Sequence, residues 1–286
     1  METNLSSIRV DREPVFFELG KREFEQIREL TYRVSGIQLP SGKELLVKSR
    51  LSKRLRMLGI SGFKQYLSLV ESDKTGQELA AMIELLTTNK TDFFREPQHF
   101  DYLQKHILCG LPEEKKKLRI WSAGCSTGEE PYTIAIVLSE NLDKMTNVDV
   151  RILATDISAR VLAVAKEGMY SAESLAGVPP ELRRKYFVHT RGTTGSDCYR
   201  VHSKLKSLVK FARLNLMSAW PMKGPFDVIF CRNVMIYFNK ETQRMLVRRF
   251  ANLLEPGGYL FTGHSESLMG MVDSLHYVQP AIYQKK

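Results

Sequence analysis

The stretch Ser122-Ala123-Gly124-Cys125-Ser126-Thr127-Gly128-Glu129-Glu130-Pro131 sets two glycines and two adjacent carboxylates directly after the apolar run that ends at Trp121. A strand entering a small-residue loop, with Pro131 in the first helical turn where its missing N–H costs nothing, is the geometry of a nucleotide-type site at the carboxyl end of a parallel strand. The spacing excludes the usual ligands of such a site. Gly124 and Gly128 do not make the G-x-G-x-x-G pattern of a dinucleotide site, and no Lys follows Gly128 as in a phosphate-binding P-loop. Glu129 and Glu130 stand where a pyrophosphate would sit. Carboxylates favour a helix N-terminus, but together they repel phosphate. A ligand with an ammonium or hydroxyls and no phosphate suits this loop, and S-adenosylmethionine is one: a nucleoside, a zwitterionic amino acid and a sulfonium.

The next apolar run, Ile152-Leu153-Ala154, ends in Thr155-Asp156. An acidic residue at that point is where a nucleoside ribose offers its hydroxyls. Asp156 stands 28 positions after Gly128, more than the ~20 of dinucleotide sites, and the polar loop 143–149 absorbs the difference. Taken alone, Asp156 reads equally well as a helix cap before Ser158; together with the loop it reads as part of a nucleoside site. Trp121 reads as core. Leu254-Glu255-Pro256-Gly257-Gly258 resembles a turn found in the sheet of methyltransferases that use this cofactor, although helix-Gly-strand turns are common. Phe226-Asp227-Val228-Ile229-Phe230-Cys231 reads as a strand that delivers Arg232 and Asn233 to the same sheet edge. The Asn- or Asp-Pro-Pro-aromatic motif of many amine-directed methyltransferases is missing there, which points to an oxygen acceptor.

These residues need a parallel sheet to position them, and the chain supplies its pattern. From Leu118 short apolar runs alternate with helical stretches: strands over 118–123, 150–155, 207–213, 226–231 and 258–262, helices over 129–142, 158–167 and 240–254. The segment 170–205, with Pro179-Pro180, Gly192 and Gly195, breaks the alternation and reads as a small insertion made of a helix and an antiparallel hairpin. Before the sheet, Phe24, Ile27, Leu30 and Val34, then Val47, Leu51, Leu55 and Leu58, recur at helix spacing. The expected organisation is a small all-helical domain over 1–88 with its first 20 or so residues loosely held, a linker over 89–117 that contributes to the site, and an α/β domain over 118–286.

The composition, 43% hydrophobic and 26% charged in 286 residues, excludes disordered and fibrous classes. No apolar run approaches the ~20 residues of a membrane-spanning helix, and the N-terminus shows no secretion signal. Cys109, Cys125, Cys198 and Cys231 are too scattered for a disulfide scaffold and form no C-x-x-C pair, so a reduced, cytoplasmic setting is expected. Lys and Arg number 42 against 32 Asp and Glu, a net charge of +10, which favours an acidic partner without choosing one.

Thr87-Thr88-Asn89-Lys90-Thr91-Asp92-Phe93-Phe94-Arg95-Glu96, Ser126-Thr127-Gly128-Glu129-Glu130-Pro131-Tyr132, Cys231-Arg232-Asn233-Val234-Met235-Ile236-Tyr237-Phe238 and Gly263-His264-Ser265-Glu266 occur in that order. On these four stretches the chain, from about Phe24 onward, resembles the CheR family of chemotaxis receptor methyltransferases, which convert receptor glutamates into methyl esters. The resemblance implies a Rossmann-like, doubly wound methyltransferase domain dependent on S-adenosylmethionine, with S-adenosylhomocysteine as product and no metal. It implies that Asn89, Thr91 and Arg95 close over the methionyl end and methyl group, that Glu129 holds the cofactor and Asp156 the ribose, and that Gly124 lines the pocket. Asn215 and Leu216 would flank the adenine with Arg232 and Asn233 nearby, and Tyr237 would reach toward the acceptor. Without the family, Asn89 to Arg95 reads as a helix end and a linker.

A glutamate of reference pKa ~4.3 is already ionised at neutral pH, so no general base is needed. His264 then reads as structural or substrate-positioning, and Arg95 as the group that aligns the carboxylate. Residues 43–58 carry six basic side chains against one acidic. By itself this is a solvated helix face; the resemblance makes Arg50, Lys53, Arg54 and Arg56 its acceptor-binding residues, facing the cytoplasmic helices of a receptor. The resemblance also allows a receptor C-terminal tail to dock on the insertion, and the chain is expected to act as a monomer. Two alternatives are a nucleic-acid methyltransferase, which needs aromatics among its basic residues where 43–58 has none, and a non-catalytic receptor-binding adaptor on the same fold. Nucleic acid and membrane insertion are not expected.

Overall fold

The computed structural model describes residues 17–141, 148–191 and 197–286. Nearly all of the N-terminal stretch expected to be loosely held, residues 143–147 of the polar loop, and Gly192 and Gly195 lie outside the described residues. The chain forms two compact units, one ending at Leu86 and excluding 34–38, the other made of 34–38 and 87–286.

The first unit contains α1 (Lys21–Ser35) as far as Arg33, α2 (Glu44–Leu58), α3 (Phe63–Ser72) and α4 (Gln77–Leu86). Their apolar stripes meet in one core of Phe24, Ile27, Val47, Leu51, Leu55, Phe63, Tyr66 and Met82. Glu78 is buried in this unit, and a buried carboxylate must be paired. Arg54 grips it with Nε at 3.0 Å and Nη2 at 2.5 Å, and the Tyr66 hydroxyl donates to it at 2.8 Å. Arg50 is also turned inward, its Nη1 donating to the last carbonyl of α4, Leu86 O, at 2.7 Å. Of the four residues expected to meet an acceptor, Lys53 and Arg56 are exposed, whereas Arg50 and Arg54 hold their own unit together. Helix spacing shows where a charge sits but not the distant group that satisfies it.

The second unit begins with α5 (Gln98–Tyr102), which runs on as a π-helical turn over Leu103–Leu108. Phe93, Phe100, Leu103, Ile107 and Leu108 join a core with Leu118, Ile120 and Tyr132, so the segment before the sheet is packed into this unit. Then follow β1 (Lys117–Ala123), α6 (Glu129–Ser139), β2 (Asp149–Asp156), α7 (Ala159–Glu167), β3 (Met169–Ser171), α8 (Pro180–Tyr186), β4 (Phe187–Arg191), β5 (Asp197–Val201), α9 (Ser203–Lys206), β6 (Val209–Arg213), β7 (Phe226–Cys231), α10 (Lys240–Leu253), β8 (Leu254–Thr262), β9 (Leu275–Gln279) and β10 (Ile282–Lys285).

The main sheet has the order β6-β2-β1-β7-β8-β10-β9. The first five strands are parallel, and β10 and β9 add an antiparallel edge. The five parallel strands are those the sequence predicts, with β8 starting earlier. Leu254 already pairs with Phe226, the register slips, and pairing resumes at Tyr259 opposite Val228. The expected turn at 255–258 is therefore an excursion inside the strand. The insertion folds as a second sheet in the order β3-β5-β4, all antiparallel, flanked by α8. All four cysteines are unpaired, and no helix among the described residues is long and apolar enough to cross a membrane.

Candidate active site

The crossovers leaving β1 and β7 run to opposite sides of β1, which makes the carboxyl end of β1 the place where an open α/β sheet binds ligands. The loop there is held by its neighbours. The N–H groups of Gly124 and Cys125 both donate to Thr155 O, at 2.8 and 2.9 Å. Gly124 has φ +86°, and a Cβ on it would stand 2.4 Å from Val234 Cγ2; only glycine allows this turn and lets the segment after β7 pack against it.

Asp156 joins three segments. Its Oδ2 accepts the Ser126 N–H at 2.9 Å and its Oδ1 the Ser158 N–H at 2.9 Å, while Ser158 itself caps α7 by accepting from Val161 N. The cap is therefore Ser158, and Asp156 is the carboxylate that fixes the glycine loop to the end of β2. Ser126 Oγ adds a bond to Asn89 O at 2.8 Å, bringing the segment before α5 to the loop. Asn89 in turn donates through Nδ2 to Thr87 Oγ1 at 3.2 Å. Thr91 and Arg95 lie half-buried on the same segment, and Arg95 Nη1 donates to Lys90 O at 3.1 Å.

Glu129 and Glu130 begin α6 but do different things. Glu129 is buried, accepts from Thr127 Oγ1 at 2.7 Å, and burial pushes its carboxyl up to about 7. Glu130 accepts from Ser122 Oγ at 2.7 Å and from Arg232 Nη1 at 3.0 Å; burial raises its carboxyl, with Arg232 pulling the other way. Arg232 Nη2 reaches Glu96 Oε2 at 3.1 Å and also donates to Arg95 O. Glu96 is likewise desolvated, but the Arg232 charge together with hydrogen bonds from Arg232, Asn233 and the His264 N–H holds its carboxyl below the usual value.

This donor set fits S-adenosylmethionine. Glu129 is a buried carboxyl with no cation paired to it among the described residues, Asp156 carries acceptor oxygens at the end of β2, and the loop 122–131 contains no basic residue to seat a phosphate. Residues 22–87 match the all-alpha domain of CheR methyltransferases, and residues 89–283 match their SAM binding domain.

The chain belongs to the CheR methyltransferase family.

It is 41% identical over 274 residues to the chemotaxis protein methyltransferase of Borreliella burgdorferi, covering 93% of this chain and 95% of that one. It is 43% identical over 244 residues to the probable chemotaxis protein methyltransferase of Rhizobium etli, covering 84% and 91%, and 43% identical over 251 residues to the chemotaxis protein methyltransferase of Escherichia coli, covering 87% and 85%. An S-adenosylmethionine-dependent methyltransferase activity follows from this membership.

In this CheR chain several expected residues hold the site's frame. Arg232 is occupied by two carboxylates. Asn233 has φ +57° and its Nδ2 is 3.4 Å from Glu96 Oε1. Asn215 donates to Val34 O at 2.7 Å and accepts from Met217 N at 2.9 Å. Leu216 is buried, its carbonyl accepting from Trp220 Nε1 and Arg249 Nη1. Tyr237 is half-buried, and its carbonyl accepts the Gln38 N–H. Trp121 is core, as expected, its Nε1 bonded to Thr155 Oγ1 at 2.9 Å.

Sequence reading passed over three carboxylates that organise this edge: Glu96, Glu130 in its pairing role, and Glu266. In Gly263-His264-Ser265-Glu266 the histidine ring is exposed, whereas buried Glu266 accepts N–H groups from Gly263 at 2.6 Å, Asn233 at 2.8 Å and Ile236 at 3.0 Å. It ties the ends of β7 and β8 together. His99 is buried beside Glu96, and neither ring nitrogen has a hydrogen-bond partner among the described residues. Burial with the nearby Arg232 charge drives its pKa to about 3, so it is a neutral ring. The one signal of the three carboxylates is that Glu96, Glu130 and Glu266 fall inside the family motifs.

Proposed function

We propose that this chain methyl-esterifies glutamate side chains on chemotaxis receptors. The observation that carries this reading is the unlike pair at the start of α6: Glu130 neutralised by Arg232, and Glu129 buried with a raised pKa. One carboxylate builds the loop, and the other is kept for a cationic ligand. When bound, S-adenosylmethionine supplies a methyl group on a sulfonium, which leaves as a neutral thioether.

The protein's own work is then binding and alignment. Glu129 and Asp156 take the donor's polar groups, with Gly124, Asn215, Leu216 and Asn233 lining the nucleoside side. Arg232 and Glu96 brace the backbone of Arg95. Asn89, Thr91 and Arg95 cover the reacting end, and Tyr237 faces the acceptor. The acceptor glutamate is ionised at neutral pH, so the chain needs neither a general base nor a metal. Arg95 grips the incoming carboxylate through paired N–H bonds, and its contribution is orientation and exclusion of water.

Lys53 and Arg56 attract the acidic receptor helices, raising the encounter rate in a salt-dependent way. The edge strands β3 and β4 of the inserted sheet offer backbone groups to an extended receptor tail. The chain acts as a cytoplasmic monomer and has no nucleic-acid substrate. Replacing Arg95 by Ala tests the central assignment. Methyl transfer is expected to be abolished while binding of S-adenosylhomocysteine by calorimetry weakens much less; equal losses in both would contradict it.

A further inference from the structure

Tyr170, on β3 of the inserted sheet, is buried, and methyl transfer as described gives it no task. Its hydroxyl donates to Thr127 O at 2.7 Å. The same oxygen lies 2.9 Å from where a Cβ on Gly128 would stand, so the glycine loop and the insertion meet directly. Thr127 is the residue whose Oγ1 donates to Glu129 Oε2 at 2.7 Å. Burial, with the Glu129 carboxyl adding to it, keeps the proton on the Tyr170 oxygen, so the hydroxyl is a donor throughout the working pH range.

The other side of the ring meets the second half of the site. Tyr170 packs edge-to-face on Phe93 at 5.0 Å and 81°, and Phe93 packs edge-to-face on Phe187 of β4 at 5.4 Å and 86°. Phe93 stands two positions before Arg95 on the segment that carries Asn89 and Thr91. The next residue, Phe94, donates its N–H to Thr133 Oγ1 of α6 at 3.2 Å, and Thr133 donates to Glu129 O at 2.7 Å. Tyr170 therefore holds the glycine loop through one hydrogen bond and the Arg95 segment through one edge-to-face contact, and Phe187 adds a second aromatic contact from the insertion. The aromatic packing fixes the ring, so the hydroxyl is aimed before any ligand arrives.

We propose that Tyr170 is a positioning residue for methyl transfer: by holding the Thr127 carbonyl it fixes the loop conformation from which the Thr127 hydroxyl sets the Glu129 carboxylate for the methyl donor. This rests on the reading that Glu129 binds the donor. The inserted sheet is then a structural part of the donor site.

The test compares Tyr170→Phe, Thr127→Val, their double variant and Glu129→Gln in the full chain, by calorimetry with S-adenosylhomocysteine and by initial rates with S-adenosylmethionine. Tyr170→Phe keeps the ring and removes one hydrogen bond, so KM for the donor and Kd for the product rise roughly 3- to 10-fold, while kcat at saturation and the melting temperature stay near the parent's. The double variant is expected to bind no more weakly than the worse single variant, because both substitutions break one chain of interactions. Additive losses, or a fall in kcat and melting temperature with KM unchanged, would overturn the proposal. Unchanged binding in Tyr170→Phe with weakened binding in Glu129→Gln would overturn it and leave the donor reading standing. Unchanged binding in Glu129→Gln would overturn both.

Discussion

Arg232 Nη1 lies 3.0 Å from Glu130 Oε2, with 2% of the Arg232 side chain and 12% of the Glu130 side chain exposed. The pair joins the end of β7 to the start of α6, and the same guanidinium reaches Glu96 at 3.1 Å. Removing the cation leaves two desolvated carboxylates without a counter-charge, and breaking a buried pair in this way costs about 3–5 kcal/mol. Arg232→Met is therefore expected to lower the urea-unfolding free energy by about that amount. An unchanged midpoint and slope would contradict the role given to Arg232.

The raised Glu129 carboxyl makes donor binding pH-dependent. Its folded-state value of about 7 exceeds the ordinary 4.5, so between those values the folded chain holds a proton the unfolded chain has lost, and this group makes the ligand-free protein less stable as pH rises through that window. A cationic ligand needs the ionised form. Donor affinity is expected to rise about tenfold per pH unit below 7 and level off above it, with uptake of the ligand at pH 6 releasing a proton to the buffer. Calorimetry in buffers of different ionisation enthalpy measures that release; flat affinity from pH 5.5 to 8 would contradict it.

On α2 the structure separates two kinds of basic residue. Arg54 pairs with buried Glu78, so Arg54→Ala is expected to cost about 1.5–3 kcal/mol of stability, the range for a hydrogen bond to a charged group. Lys53 and Arg56 are exposed, and the double change to Glu should alter stability by no more than about 0.5 kcal/mol. It should raise KM for receptor substrate, with the difference shrinking as salt is added. An unaltered KM at low salt would reject the acceptor role of this face.

The sheet and the site differ in how much of each the sequence displays. Strands β1 and β7 are covered on both faces, so Ile120-Trp121 and Val228-Ile229-Phe230 read as continuous apolar runs. At the sheet edge β9 and β10 are short, and β9 is half-exposed; Leu275-His276-Tyr277-Val278-Gln279 shows no such run and passes unnoticed. The loop from Gly124 to Pro131 announces its ligand class because its chemistry is local. Glu96 and Arg232 stand 136 residues apart, and Tyr170 reaches Thr127 across 43; no spacing rule in a single sequence reveals such pairs. The bonds of Arg50 and Arg54 are hidden for the same reason, since their partners Leu86 and Glu78 lie on another helix.

The most direct measurement is transfer of label from methyl-labelled S-adenosylmethionine, offered in parallel to cytoplasmic receptor fragments and to RNA. The account predicts label on receptor glutamates, released as methanol by mild base because it is held as an ester, with none on RNA. Base-stable label on the receptor, label on RNA, or no transfer to a receptor fragment that the chain demonstrably binds would contradict it.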